Sequence, residues 1–188
     1  MIITVTGKPC SGKGTASKLF AKKYKFDYIC TGDMFRAIAN ELGFKSVLEF
    51  QQQGDIESAD KMVDRQTAEL GKKHADENII IDSRLAWHFI PNSFKVFIDI
   101  DWDTAAERLI EAGREHEQAS NLEQAKELLE TRWQVENERY SRIYNTNNLN
   151  LCKYDLIISS KDKKPEHIAK EIYKAYKNFI KSKKNNKN

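Results

Sequence analysis

Residues Gly7 to Thr15 read Gly-Lys-Pro-Cys-Ser-Gly-Lys-Gly-Thr, directly after the apolar β-branched run Ile2-Ile3-Thr4-Val5-Thr6. Glycines let a backbone curl around an anion so that successive N–H groups point inward, and Lys13 adds a mobile positive charge. The helix-forming stretch that begins near Lys13 aims its positive dipole end at the same point. Gly7, Lys8, Pro9, Cys10, Ser11, Gly12, Lys13, Gly14 and Thr15 are therefore the residues expected to cradle the phosphates of a nucleoside triphosphate. A glycine-rich turn that matches the pattern without a ligand is the bland alternative. The strand before it and the helix after it weigh against that alternative.

Phosphoryl transfer spreads negative charge over several oxygens, so a protein that promotes it must position the reactants and neutralise that charge. A hydroxyl acceptor needs a catalytic base, whereas a phosphate acceptor is already ionised near neutral pH. No base constellation stands out in this chain, while arginines recur where strands and helices end. The pattern favours a phosphate acceptor over an alcohol.

These residues need a frame, and short apolar runs alternating with amphipathic stretches predict βα units around a parallel sheet. Strands are expected near Ile2–Thr6, Asp27–Cys30, Asn78–Asp82, Lys95–Asp99 and Asp155–Ser159, each covered on both faces. Helices are expected near Lys13–Tyr24, Asp33–Leu42, Ser58–Ala75, Asp103–Ala112, Leu122–Tyr144 and Glu166–Ile180. The charged stretches Ser46–Ala75 and Ala112–Asn150 interrupt the alternation and suit mobile covers over a ligand. The lysine- and asparagine-rich end, 181–188, is expected to be a disordered tail.

The form Gly-x-x-x-x-Gly-Lys-Gly-Thr resembles that of the nucleoside monophosphate kinases, in which the usual magnesium-ligating Ser or Thr is replaced, here by Gly14. The resemblance implies ATP as donor and Mg2+ held mainly by phosphate oxygens and water, with a carboxylate behind them rather than a direct protein ligand. Asp82 is the first candidate for that carboxylate and Asp33 the second, while a cap on the turn after the third strand is the other reading of Asp82.

Asp27-Tyr-Ile-Cys-Thr-Gly-Asp-Met-Phe-Arg36 resembles the monophosphate-side motif of the adenylate and cytidylate kinases. By that resemblance Thr31 and Gly32 open the turn, and Arg36, on the first turn of the next helix, grips the acceptor phosphate. Ile79-Ile-Ile-Asp-Ser-Arg-Leu-Ala is similar to the compact turn of the archaeal-type cytidylate kinases, which sets Arg84 on the same phosphate. Trp87 and Phe89 read as packing groups and His88 as structural or surface.

Thr131-Arg-Trp-Gln-Val-Glu-Asn-Glu-Arg-Tyr again resembles the archaeal-type family. Arg132 and Arg139, seven residues apart, share one helix face. The resemblance puts both near the phosphates and Arg108 near the donor base, with the Lys161–Pro165 loop bordering the adenine. The direction of Arg114 is unreadable. Ordinary ion pairing with nearby glutamates is the competing reading for each arginine. Asp64 and Arg65, with Asp60 one turn earlier, resemble the helix that reads the acceptor base. A solvated helix face fits those residues nearly as well.

The resemblance implies a P-loop α/β fold with a five-stranded parallel sheet, in a single domain over 1–180. A monophosphate-binding segment would cover about 31–75 and a lid about 112–140. The expected reaction is transfer of the ATP γ-phosphoryl group to CMP or dCMP. An adenylate kinase, a shikimate-type metabolite kinase and a non-catalytic nucleotide sensor are the alternatives. Cys10 stands where such loops usually carry glycine, so a positive φ there would strain the loop.

Composition sets outer bounds. With 31% charged and 40% hydrophobic residues the balance is that of an ordinary soluble domain, and a net charge of +3 does not argue for a nucleic-acid partner. No run approaches the ~18 apolar residues of a membrane span. Three scattered cysteines argue against a disulfide framework or zinc site and suit a reducing cytoplasm. Small nucleotides are the expected partners of a monomeric chain.

Overall fold

Strands buried on both faces must be short and continuously apolar, and Ile-Ile-Thr-Val and Ile-Ile-Ile are runs of that kind. The computed structural model describes residues 1–45, 49–50, 53–113 and 119–185. Its elements are β1 (Ile2–Gly7), α1 (Lys13–Tyr24), β2 (Asp27–Cys30), α2 (Thr31–Glu41), α3 (Ile56–Lys73), β3 (Ile79–Asp82) and α4 (Ala86–Phe89). They continue with β4 (Phe94–Asp99), α5 (Trp102–Glu111), α6 (Leu122–Tyr144), a 3₁₀ turn at Leu151–Lys153, β5 (Leu156–Ser159) and α7 (Pro165–Asn185).

The five strands form one sheet in the order β2-β3-β1-β4-β5, and every pairing is parallel. The chain leaves β1 toward one edge and later returns past it toward the other. The carboxyl end of β1 therefore lies at the crossover crevice of the sheet, where α/β folds hold ligands. Register then fixes the neighbours of that point, with Val5 opposite Asp82 on β3 and Gly7 opposite Ile98 on β4. A Cβ on Gly7 would lie 2.3 Å from the Ile98 carbonyl oxygen, so only glycine fits where β1 turns into the loop.

One face of the sheet packs on α1 and α7 through Phe20, Val96, Ile98, Ile168 and Ile172, with Tyr24 and Tyr173 stacked at 3.8 Å. The other face carries Leu85, Trp87, Phe97, Trp133 and Tyr154, which seat α6. Trp87 donates to Asn148 Oδ1 at 2.8 Å, so it packs in the core, as expected. Outside the sheet, Ile38, Ala39, Phe50, Ala59 and Val63 join α2 to α3.

Several expectations need correction. The outer strands are not covered on both faces: Ile157 on β5 is 47% exposed, because an edge strand has sheet on one side only. Helix α2 begins at Thr31, so Thr31 and Gly32 are already helical and Arg36 lies on the second turn rather than the first. Helix α3 starts at Ile56, where the Asp55 side chain accepts from the Ser58 N–H at 3.0 Å. The tail expected to be disordered from Lys181 continues α7 through Asn185. Ser182 Oγ donates to the Asn178 carbonyl and Lys183 Nζ lies 4.6 Å from the Phe179 ring centre, with cations at the helix's negative end. Residues 186–188 lie outside the described residues, as do 46–48 and 51–52 of the first charged stretch. The four-residue α4 was unforeseen because so short an element has no periodicity to read. No helix among the described residues is long and apolar enough to cross a membrane.

Candidate active site

The loop after β1 curls through two left-handed residues. Gly12, at φ 77°, caps α1, and Cys10 adopts φ 58°. A non-glycine residue rarely visits that region, so the concern over Cys10 is realised in the backbone. Ser11 N donates to the Lys8 carbonyl at 3.3 Å, and Ala16 N to the Gly12 carbonyl at 3.0 Å. Ser11 Oγ is buried and has no hydrogen-bond partner among the described residues. Pro9, Lys13 and Gly14 are half-buried and Thr15 is exposed.

The Lys8 side chain does not enter the cradle. Its ammonium turns out of the cradle to Asp99 Oδ1 at 2.8 Å and the Ile100 carbonyl at 3.0 Å, above the Trp102 ring. The Asp99 contact is ionic rather than directed, since that oxygen lacks an aligned donor. Only the backbone of Lys8 therefore serves the loop.

Asp82 ends β3 beside the loop. A Cβ on Gly14 would lie 3.1 Å from Asp82 Oδ2, so the Ser or Thr of commoner loops would crowd this carboxylate. Burial pushes the Asp82 carboxyl pKa up, while Lys13, the Tyr28 hydroxyl and Arg84 oppose that rise. Tyr28 OH donates to Asp82 Oδ2 at 3.4 Å, and burial beside that carboxylate pushes the phenol pKa up. Among the described residues no group of three or more His, Cys, Asp or Glu could hold a metal. One carboxylate behind a phosphate cradle suits Mg2+, which retains water and phosphate oxygens as ligands.

Arg108 bridges two segments on the other side of the loop. It donates to the Cys10 carbonyl at 3.4 Å, to the Ser160 carbonyl at 2.7 Å and to the Lys161 carbonyl at 3.2 Å. The loop after β5 is thereby fastened to the phosphate loop. Arg114 lies outside the described residues.

Arg36 folds back over its own helix, paired with Asp33, with Nη1 3.7 Å from where a Gly32 Cβ would stand. Asp33 is thus occupied with Arg36, whereas Asp82 is a carboxylate on which the Lys13 charge acts.

A second group of cations assembles from distant segments. Arg84, just past β3, meets Glu136 Oε1 at 2.9 Å, and Arg132 Nε meets the same oxygen at 3.3 Å. Burial would lower the Arg84 pKa, but Glu136 and the neighbouring Tyr140 hold it up. Arg139 Nε pairs with Asp60 Oδ2 at 2.8 Å. Burial raises the Asp60 pKa, with Arg139 opposing it most. Two more links complete a strip between α3 and α6: Tyr144 OH donates to Asp64 Oδ2 at 2.6 Å, and Arg142 reaches Glu57 Oε2 at 3.1 Å. Burial raises Asp64 to about 7 despite the Tyr144 hydrogen bond.

The ion-pairing alternative thus holds in part, since Arg132 pairs with Glu136 one turn away. Asp64 and Arg65 are not brought together. Arg65 is exposed and makes no ion pair among the described residues, because consecutive helix residues face different ways. Sequence reasoning passed over Glu136, Tyr140 and Tyr28. The signal for the first two was present, as Arg132, Glu136 and Tyr140 stand at successive i,i+4 positions.

Comparison with known proteins agrees with this geometry. Residues 2–162 match the cytidylate kinase-like family. The chain is 34% identical over 173 residues to a cytidylate kinase of Methanobrevibacter smithii, covering 92% of this chain and 96% of that one. It is 32% identical over 177 residues to a cytidylate kinase of Archaeoglobus fulgidus, covering 93% and 94%. The fold is similar to that of shikimate kinase from Aquifex aeolicus, with a TM-score of 0.61 at 21% identity, over 96% of this chain and 98% of that one.

Proposed function

We propose, for a chain that belongs to the cytidylate kinase-like family, that it is a P-loop kinase transferring the γ-phosphoryl group of ATP to CMP or dCMP. The observation that carries this reading is the meeting of two cation sets at one carboxylate. Asp82 Oδ2 lies 3.1 Å from where a Gly14 Cβ would stand in the phosphate loop, and Arg84 of the arginine group follows it two residues later at the end of β3, which supports adjoining donor and acceptor phosphate sites. The likeness to shikimate kinases bears on the fold alone.

In this reading the loop 7–15, through its free backbone N–H groups and Lys13, holds the donor phosphates, and Arg108 steadies the loop beside the adenine. Arg36 and Arg84 hold the acceptor phosphate, with Thr31 and Gly32 supplying the helix start beneath it. Arg132 and Arg139 neutralise the migrating phosphoryl group. Mg2+ in front of Asp82 would offset charge on the β- and γ-phosphates. Asp64 faces the acceptor base, a role that the position of Arg65 does not support for its neighbour. Residues 31–75 act as the acceptor segment and 112–140 as the lid of a single domain. All these residues come from one chain, so a monomer suffices, acting on small nucleotides in a cytoplasm.

The test is coupled ADP release with ATP, Mg2+ and each of CMP, dCMP, UMP, AMP and GMP. Turnover greatest with CMP or dCMP is expected. A preference for AMP would retain the mechanism and overturn the acceptor, and no turnover with any of the five would overturn the reading.

A further inference from the structure

We propose that Glu136 is a positioning residue that ties Arg84 of the acceptor-phosphate site to Arg132 of the lid by fixing both on one carboxylate oxygen. The inference rests on the kinase reading above and adds a residue to it. Arg84 comes from the turn after β3 and Arg132 from α6, 48 residues later in the chain, and both meet Glu136 Oε1, at 2.9 and 3.3 Å. A guanidinium on a flexible stem is an imprecise ligand, and a second hydrogen bond behind it restricts the directions its other N–H groups can take.

A rival account is that Glu136 occupies the phosphate site itself and must be displaced by the substrate. Exposure decides between them. The Glu136 side chain is 10% exposed, while those of Arg84 and Arg132 are 35% and 34% exposed. The carboxylate lies behind the two cations, and their outer edges face the side from which a phosphate arrives. Tyr140, one turn after Glu136, is buried on the same face of α6.

Two variants separate positioning from charge balance. Glu136→Asp keeps the charge and shortens the arm by one methylene, which draws the two guanidinium groups off their places. Glu136→Gln keeps the length and removes the charge. Each should lower kcat/KM for CMP on the order of 10- to 100-fold while the KM for ATP stays within about twofold. Combined with Arg84→Lys, the Glu136→Asp loss should be less than additive, because both changes act on one contact. Unchanged CMP kinetics in Glu136→Asp, additive losses, or a lower KM for CMP would each overturn the inference. Inorganic phosphate binding to the nucleotide-free protein, followed by calorimetry, gives an independent readout that should weaken in both variants. If the wild type phosphorylates none of the monophosphates, the kinase reading fails by itself. Phosphate binding then decides for Glu136, and unchanged or tighter binding in Glu136→Asp would count against it.

Discussion

The phosphate loop and the arginine strip between α3 and α6 both gather positive charge, yet they are assembled in opposite ways. The loop is nine consecutive residues held by β1 and α1, and its donors are mostly backbone N–H groups aimed by glycines. The strip draws Asp60 and Asp64 from α3, Arg84 from the turn after β3, and Arg132, Glu136 and Arg139 from α6. Its cations are side chains, and each is aimed by a carboxylate. A site aimed by backbone is rigid before its ligand arrives. A site aimed by ion pairs between helices depends on how those helices dock, which suits the half of a kinase that must open and close.

The sharpest way to break this contrast is at Lys13, the one side chain on which the loop relies. Lys13→Met keeps the length of the arm and removes its charge. Turnover should fall on the order of 10³-fold, as for loss of a principal donor to a transition-state oxyanion. The midpoint of thermal unfolding should hold or fall slightly, since Lys13 offsets part of the cost of burying the Asp82 carboxylate. Activity within tenfold of wild type would mean that the backbone alone cradles the phosphates.

The same contrast explains what could be read in advance. Gly7 through Thr15 carry their geometry in consecutive positions, so the strand, the loop and the start of α1 were all legible. The boundaries of α6 were too, because its apolar positions recur with the helical period. Arg36 was found by its motif, but not its place on the second turn, since Thr31 enters the helix without a side-chain cap. The outward turn of the Lys8 side chain was not legible, because nothing local records that Asp99, at the end of β4, lies beside it. Glu136 was passed over because its worth depends on Arg84, a residue brought near by the sheet rather than by the helix. Side-chain ligands to side chains are tertiary facts, and a single sequence states them only through spacings such as Arg132 to Glu136.

The strip makes a smaller and pH-dependent prediction at Asp64. Burial moves its carboxyl from 3.8 to about 7 in the folded chain. Between those values the folded protein holds a proton that the unfolded chain has released. Stability from this group is therefore full below about pH 4, declines as pH rises toward 7, and stays low above it. Asp64→Asn removes the titration and keeps an oxygen for Tyr144 OH. Its advantage over wild type should be near zero at pH 4 and grow to on the order of 1–2 kcal/mol at pH 8, by chemical denaturation at both pH values. A gap that does not widen with pH would mean that the charged carboxylate is satisfied where it lies, and that the strip is a set of ordinary surface pairs.

The smallest effect is expected back in the loop, at Cys10, where two terms of similar size oppose each other. A left-handed backbone costs a non-glycine residue about 1–2 kcal/mol, and Cys10 sits at φ 58°. Glycine would relieve that strain, yet it adds about 0.5–1 kcal/mol of entropy to the unfolded chain. It would also remove a side chain that packs against the cluster of Ile100, Ala105 and Leu109 beneath the loop. Cys10→Gly should therefore leave stability within about 1 kcal/mol of wild type. Cys10→Ala keeps the strain and gives up the sulfur's packing, so it should be the less stable of the two by about 1 kcal/mol. Denaturant titration of both variants ranks the terms. If alanine proves the more stable, backbone strain is not what this loop stores, and the cysteine is held there by packing alone. If glycine gains well over 1 kcal/mol, the thiol contributes little beneath the loop and the chain tolerates strain in its most locally encoded element.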